Sequence, residues 1–325
     1  MTDPAAPARD MTALALRLFA WGTVTIATAF MFENWLIHWQ NLPAARSIFH
    51  GGGGLAAAAG YVVAAVVAVM LALRGQAGSL RNDSARISGL VTYLARSAFF
   101  IVLLLGVVDV TISFLRIEGL LPLFVSPDLE TQLGQAQWRG PYVHMPLAAL
   151  GLLLGLVTRG LGFIWLALLV VVVQLVIVLG RFIFSYEQAF VSDLVRMWYA
   201  GLFLFASAFT LIEEGHVRVD VLFAGMSRRA KAVVNGIGSV VLGMVMMWTI
   251  LILGTPTSAS PIIGPVLRYE QGQQTYGMMT KYWMAVFLAI FAMTMLFQFA
   301  AYVLKAAADW RDEPDTTPQT AFVAG

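Results

Sequence analysis

The strongest constraint on this chain is the length of its apolar runs. Several uninterrupted stretches exceed the ~18 residues at which a helix becomes long enough to cross a bilayer. Apolar segments fall near residues 13–36, 55–73, 90–115, 143–158, 161–183, 197–213, 232–253 and 282–304. Hydrocarbon offers the backbone no hydrogen-bond partners, so a spanning segment must be a helix or part of a closed barrel. These runs are continuous rather than alternating, which excludes a barrel. Charged residues make up 12% of the chain, about half the share of a soluble domain. The expected fold is therefore an all-α polytopic membrane protein with about eight transmembrane helices.

Lys and Arg set the expected orientation. Arg74, Arg81 and Arg86 fall in the 74–89 link, Arg159 follows the fourth segment, and Arg218, Arg228, Arg229 and Lys231 fall in the 214–231 link. Lys305 and Arg311 follow the last segment. With both termini in the cytoplasm, all of these lie inside, as the positive-inside rule requires. The opposite loops, near 37–54, 116–142 and 254–281, then face outward. Residues 1–12 and 311–325 read as polar, disordered ends. Ala27-Thr28-Ala29 resembles a signal-cleavage site, but the apolar run continues through Phe30, Met31 and Phe32. The first segment is accordingly read as a retained span.

Several chemistries lack their residues. There is no cysteine, hence no disulfide and no thiolate site. The histidines are His38, His50, His144 and His216. His216 is assigned to the side opposite the other three, a bilayer thickness from any haem-ligating partner. Glu213 and His216 form one Glu-x-x-His, and no second copy completes a di-iron site. No Walker loop, Gly-x-Ser-x-Gly or His-Glu-x-x-His occurs. The glycines at 51–54 precede no Gly-Lys-Ser/Thr, so they read as a link into a close-packed, alanine-rich helix. No catalytic residue, metal ligand or cofactor is expected, and the net charge of +2 gives no field for nucleic acid.

Polar groups inside the spans call for separate readings, because an ionisable group in a span is a functional candidate by default. Asp109, two turns from the outer end of its segment, is expected to pair locally with Arg116, seven residues on. Arg96 is expected to snorkel at the inner end. Gln174 is expected to make an interhelical hydrogen bond.

The densest polar pattern lies at 181–231. Arg181-Phe182-Ile183-Phe184 closes one apolar run, and Ser192 or Asp193 can cap the next. Glu187, Asp193 and Arg196 stand among aromatics, as in an interfacial element. Glu213-Glu214-Gly215-His216-Val217-Arg218-Val219-Asp220 follows, in which His216, Arg218 and Asp220 alternate with Val217, Val219 and Val221, and Ser227-Arg228-Arg229 forms a basic turn.

This stretch resembles the small permease subunit of tripartite ATP-independent periplasmic (TRAP) transporters, the DctQ-type family. Arg181-Phe182-Ile183-Phe184 matches that family's first helix end. Asp193 and Arg196 match part of its acidic segment, with Ser192 in place of the first acid. Glu213, His216, Val217, Arg218, Val219 and Asp220 match its Glu-Gly-x-His-Val-Arg-Val-Asp string, with Glu214 where glycine is usual. The resemblance covers residues 161–310, a DctQ-like four-helix domain, and leaves 13–160 as an N-terminal four-helix membrane extension.

The resemblance implies a non-enzymatic scaffold in a bacterial inner membrane. It would bind a large permease subunit of the DctM type, alongside a periplasmic substrate-binding protein, in cation-coupled uptake of an organic acid. Arg181, Asp193, Arg196, Glu213, His216, Arg218 and Asp220 would then form a subunit-docking or interface motif. The alternative is a self-contained transporter or channel that uses Asp109 and the first four helices as its pathway.

Overall fold

A computed structural model describes residues 10–159, 163–186, 189–212, 221–271 and 277–314. The long helices are α1 (Met11–Trp39), α2 (Leu55–Arg74), α3 (Leu80–Ile117), α4 (Ala136–Val157), α5 (Phe163–Phe184), α6 (Ala189–Ile212), α7 (Arg228–Gly254) and α8 (Lys281–Trp310). No strand occurs among the described residues. All of these except α6 belong to a set of seven helices that are long and apolar enough to cross a membrane. The sequence reading placed a further span at 197–213, whose described part, 197–212, lies in α6, a helix of 24 residues, about 36 Å at 1.5 Å per residue.

Paired side chains bear on whether α6 crosses. Arg81, at the start of α3, forms a 2.5 Å ion pair with Asp309, at the end of α8. The six helices α3 to α8 lie between them. An even number of crossings returns the chain to the side it left, whereas leaving out α6 would strand the two residues a bilayer apart. Asp109 and the Met279 backbone give the same parity across α4 to α7. The ion pair of Asp10 with Arg311 brings the two described ends together.

Helix starts follow local chemistry. The Asp10 side chain accepts from the Thr12 and Ala13 amides, and Ser227 accepts from Ala230, each satisfying donors that the first turn leaves free. The carboxyl of Asp10 is held well below the usual carboxylate range by its hydrogen bond to Arg311. In the 45–54 link, Gly51 and Gly54 have φ of 72° and 118°. A Cβ on Gly54 would also run into the Ala44 carbonyl. The glycine run thus answers a backbone demand there.

The chain forms two compact units. The first comprises Met1–Gly89, Val217–Trp248 and Met295–Gln319. In it, α1 and α2 form a hairpin whose buried α2 face is all alanine: Ala57, Ala64, Ala68 and Ala72. Small residues at such spacing let membrane helices approach closely, as expected from the sequence. α3 begins ten residues earlier than its apolar run, so Arg81, Asp83 and Arg86 sit on helix rather than in a loop. Arg17 Nε meets Asp83 Oδ2 at 2.7 Å, and both side chains are buried.

The second unit comprises Leu90–His216, Thr249–Thr294 and Thr320–Gly325. Its core joins Phe99 and Leu105 of α3, Leu166 of α5, Leu194, Met197 and Phe205 of α6, and Phe287 of α8. Gly151 and Gly155 of α4 lie against the α3 backbone at Ile101 and Ser97; a Cβ there would sit 2.9 Å from the Ile101 nitrogen and 3.0 Å from the Ser97 nitrogen. Each unit draws on chain from both sides of residue 160.

Candidate functional site

The most concentrated polar chemistry among the described residues lies in the second unit, around Asp109. Asp109, Arg139 and His144 are each 0% exposed. Arg139 Nη1 donates to Asp109 Oδ1 at 2.7 Å, and His144 Nε2 lies 3.0 Å from the same oxygen. The Met279 amide donates to Oδ2 at 2.8 Å. Arg139 also donates through Nε to the Leu133 carbonyl at 3.0 Å. On the far side of the imidazole, Nδ1 lies 2.7 Å from the Tyr282 hydroxyl.

Donor arithmetic assigns the protons. The carboxylate can only accept, so Nε2 carries the hydrogen that faces it. The other ring nitrogen, Nδ1, shares a hydrogen bond with the Tyr282 hydroxyl, so a chain of hydrogen bonds links Tyr282 through His144 to Asp109. Both carboxylate oxygens are occupied, which is what a buried ion pair needs to be tolerated.

The local backbone explains why Arg139 and His144 share a target. They are five apart, a spacing that puts residues on different faces of an α-helix. A π turn at Gly140–His144 interrupts α4 there, and its wider i→i+5 repeat brings both to one face. Pro141, which lacks an N–H, sits in that turn. The Tyr269 ring packs on Gly140, where a Cβ would overlap it.

The expected local pair of Asp109 with Arg116 is corrected. The partner is Arg139, which the sequence reading had left in an outer loop. The polar stretch at 136–139 hid the start of α4, because a charge that is matched across the structure looks like loop in the sequence. Arg96 donates to the Thr158 carbonyl at the end of α4, in keeping with a helix-end role. Gln174 is exposed on α5.

The motif residues fall in three places. Asp193 lies in the second turn of α6, so it is not the cap of that helix; its Oδ2 accepts the Met278 amide at 3.1 Å. Asp109 and Asp193 thus hold consecutive amides just ahead of α8. Arg196 reaches Asp193 at 3.6 Å, with side-chain exposures of 71% and 18%. Arg181 is exposed. Glu213, His216, Arg218 and Asp220 lie outside the described residues, as does Glu187. Among the described residues no group of three or more His, Asp or Glu is placed to hold a metal ion.

Trp198, two residues after Arg196, donates from Nε1 to the Val102 carbonyl at 3.2 Å and packs on Gly106, where a Cβ would overlap the indole. Sequence reading missed Arg139, Tyr282 and the amides of Met278 and Met279. A polar residue just ahead of an apolar run was the one signal available for Arg139.

Comparison with known proteins agrees with the polar pattern. Residues 167–309 match the family model of the DctQ component of tripartite ATP-independent periplasmic transporters. Neither the curated proteins nor the solved structures yield a match. The matched segment takes in Asp193, Trp198, Met278, Met279 and Tyr282, whereas Asp109, Arg139 and His144 precede it. The C-terminal part of this chain, residues 167–309, is thus similar to the DctQ component of tripartite ATP-independent periplasmic transporters, and the helices before it are consistent with an extension to that component.

Proposed function

We propose that this protein is the small membrane subunit of a TRAP-type secondary transporter. It scaffolds a large DctM-type permease subunit in cation-coupled uptake of an organic acid that a periplasmic binding protein delivers. It sits in a bacterial inner membrane with both termini cytoplasmic, in keeping with the Lys and Arg distribution. The family match over residues 167–309 carries this reading.

Two structural features support it. The α5 surface that carries Phe182, Phe184 and Gln174 is exposed, with Phe182 at 80%, and an exposed glutamine on an apolar helix suits a partner that a second subunit would supply. The Asp109 cluster, in turn, is closed on itself. Both of its carboxylate oxygens are taken by the chain's own donors, which weakens the alternative of a self-contained transporter with Asp109 in its pathway.

The decisive experiment is reconstitution in liposomes. Uptake should require the large permease subunit and the soluble binding protein as well as this chain. Concentrative uptake by the purified chain alone would overturn the scaffold reading. Arg218→Ala tests the His-Val-Arg-Val-Asp segment as an assembly element: co-purification of the large subunit should fall, with uptake falling in proportion.

A further inference from the structure

Where α2 meets α3 there is a cavity of about 220 Å³, lined by Arg74, Gly75, Gly78, Asn82, Asp83 and Arg86. At roughly 30 Å³ each it has room for about seven waters. It lies in the first unit, outside the family-matched segment, and the proposed transport role does not use it.

Its chemistry is two-signed. The Asp83 side chain is 1% exposed, and its Oδ2 accepts from Arg17 Nε at 2.7 Å. Among the described residues Oδ1 has no hydrogen-bond partner. Arg86 Nη1 stands 3.5 Å from Oδ1, an ion-pair contact without hydrogen-bond geometry. A buried carboxylate oxygen without a donor is costly and calls for one. Gly75 packs so closely on this carboxylate that a Cβ would lie 2.5 Å from Oδ2, so the floor of the cavity is tightly built. Arg74 and Arg86, by contrast, are exposed. Among the described residues no carboxylate pairs with Arg74.

We infer that this cavity binds the headgroup of a zwitterionic phosphoethanolamine lipid. The primary ammonium donates to Asp83 Oδ1, and the phosphate lies between Arg74 and Arg86. The α2–α3 link joins two candidate spans, which puts it at the depth of lipid headgroups. Guanidinium groups suit phosphate oxygens. An ammonium brings both charge and N–H donors to the carboxylate. A choline headgroup has no N–H to give, and a glycerol headgroup brings only neutral hydroxyls.

The test uses the full chain in nanodiscs that contain equal amounts of phosphatidylethanolamine, phosphatidylglycerol and phosphatidylcholine with matched acyl chains. Bound lipid is counted by mass spectrometry after detergent exchange. Retained phosphatidylethanolamine should exceed each of the others about tenfold, the size of one charge-assisted hydrogen bond. Arg74→Gln with Arg86→Gln, both exposed and so expected to fold, should lower the retention of all three lipids, because each offers the same phosphate. Asp83→Asn should bring the phosphatidylethanolamine excess down to the phosphatidylcholine level; it also weakens the contact with Arg17, so the double glutamine variant is the reading that leaves that contact intact. Equal retention of the three lipids, no retained lipid, a preference for phosphatidylglycerol, or an unchanged double variant would each overturn the inference. So would soluble glycerophosphoethanolamine competing as well as the lipid, because the source would then be a free phosphate ester.

Discussion

Asp109 and Met279 stand 170 residues apart, yet the amide of Met279 donates to the carboxylate of Asp109 at 2.8 Å. The contact ties the end of α3 to the entry of α8, and Asp193 holds the neighbouring amide of Met278 in the same way. A helix start carries partial positive charge, so two carboxylates beside it are favourably placed. Met278 and Met279, just before α8, are thus held by acids from α3 and α6.

Removing one member of the buried pair should be expensive. Arg139→Ala leaves Asp109 charged and unmatched, and should cost about 3–5 kcal/mol. Arg116→Ala, the partner expected from sequence, should stay within about 0.5 kcal/mol. Thermal unfolding in detergent compares the two, and equal losses would return Asp109 to a local pair. In the complete transporter, Asp109→Asn should lower melting temperature and leave the cation dependence of uptake unchanged.

The two motif residues of α6 should separate. Asp193→Ala leaves the Met278 amide without an acceptor and should cost about 1–3 kcal/mol. Arg196 is mostly exposed, and its ion pair should contribute only about 0–1 kcal/mol. Arg196→Ala should therefore leave the melting temperature nearly unchanged while weakening retention of the large subunit. If both melting and co-purification stay at wild-type level, Arg196 is a solvated charge with no docking role.

Packing of α4 on α3 should tolerate no side chain at its glycines. Gly155→Leu must push against the Ser97 backbone, with 3.0 Å available to the Cβ alone. Overpacking of this kind typically costs about 1–3 kcal/mol. Gly22, whose Cβ would meet nothing within 4 Å, is the control position for an alanine substitution. A similar loss at both sites would mean that the close approach of α3 and α4 contributes nothing.

Crossing parity can be read directly, because a chain without cysteine accepts single-cysteine labels at will. Ser79→Cys and Ser227→Cys should label from one side of the membrane, and Ser126→Cys and Thr257→Cys from the other. Opposite sidedness of Ser79 and Ser227 would show that α6 fails to cross.

What the sequence determined by itself is the membrane architecture. A bilayer acts on each segment alone: an apolar run of sufficient length must become a helix wherever its neighbours lie. The polar string at 181–220 is likewise local, so the family resemblance was legible in it. The one blurred span, α6, is the helix that carries Asp193 and Arg196 in its first turns. Only the tertiary structure decided which charges meet. Arg116 and Arg139 were both candidates for Asp109 by composition, and sequence distance favoured Arg116. The π turn at Gly140–His144 settled the choice by rotating Arg139 and His144 onto one face, where α3 presents its carboxylate. A buried charge is satisfied by whichever donor the packing brings within reach, and that packing is set by residues such as Gly151 and Gly155, whose lack of a side chain admits partners far away in the chain.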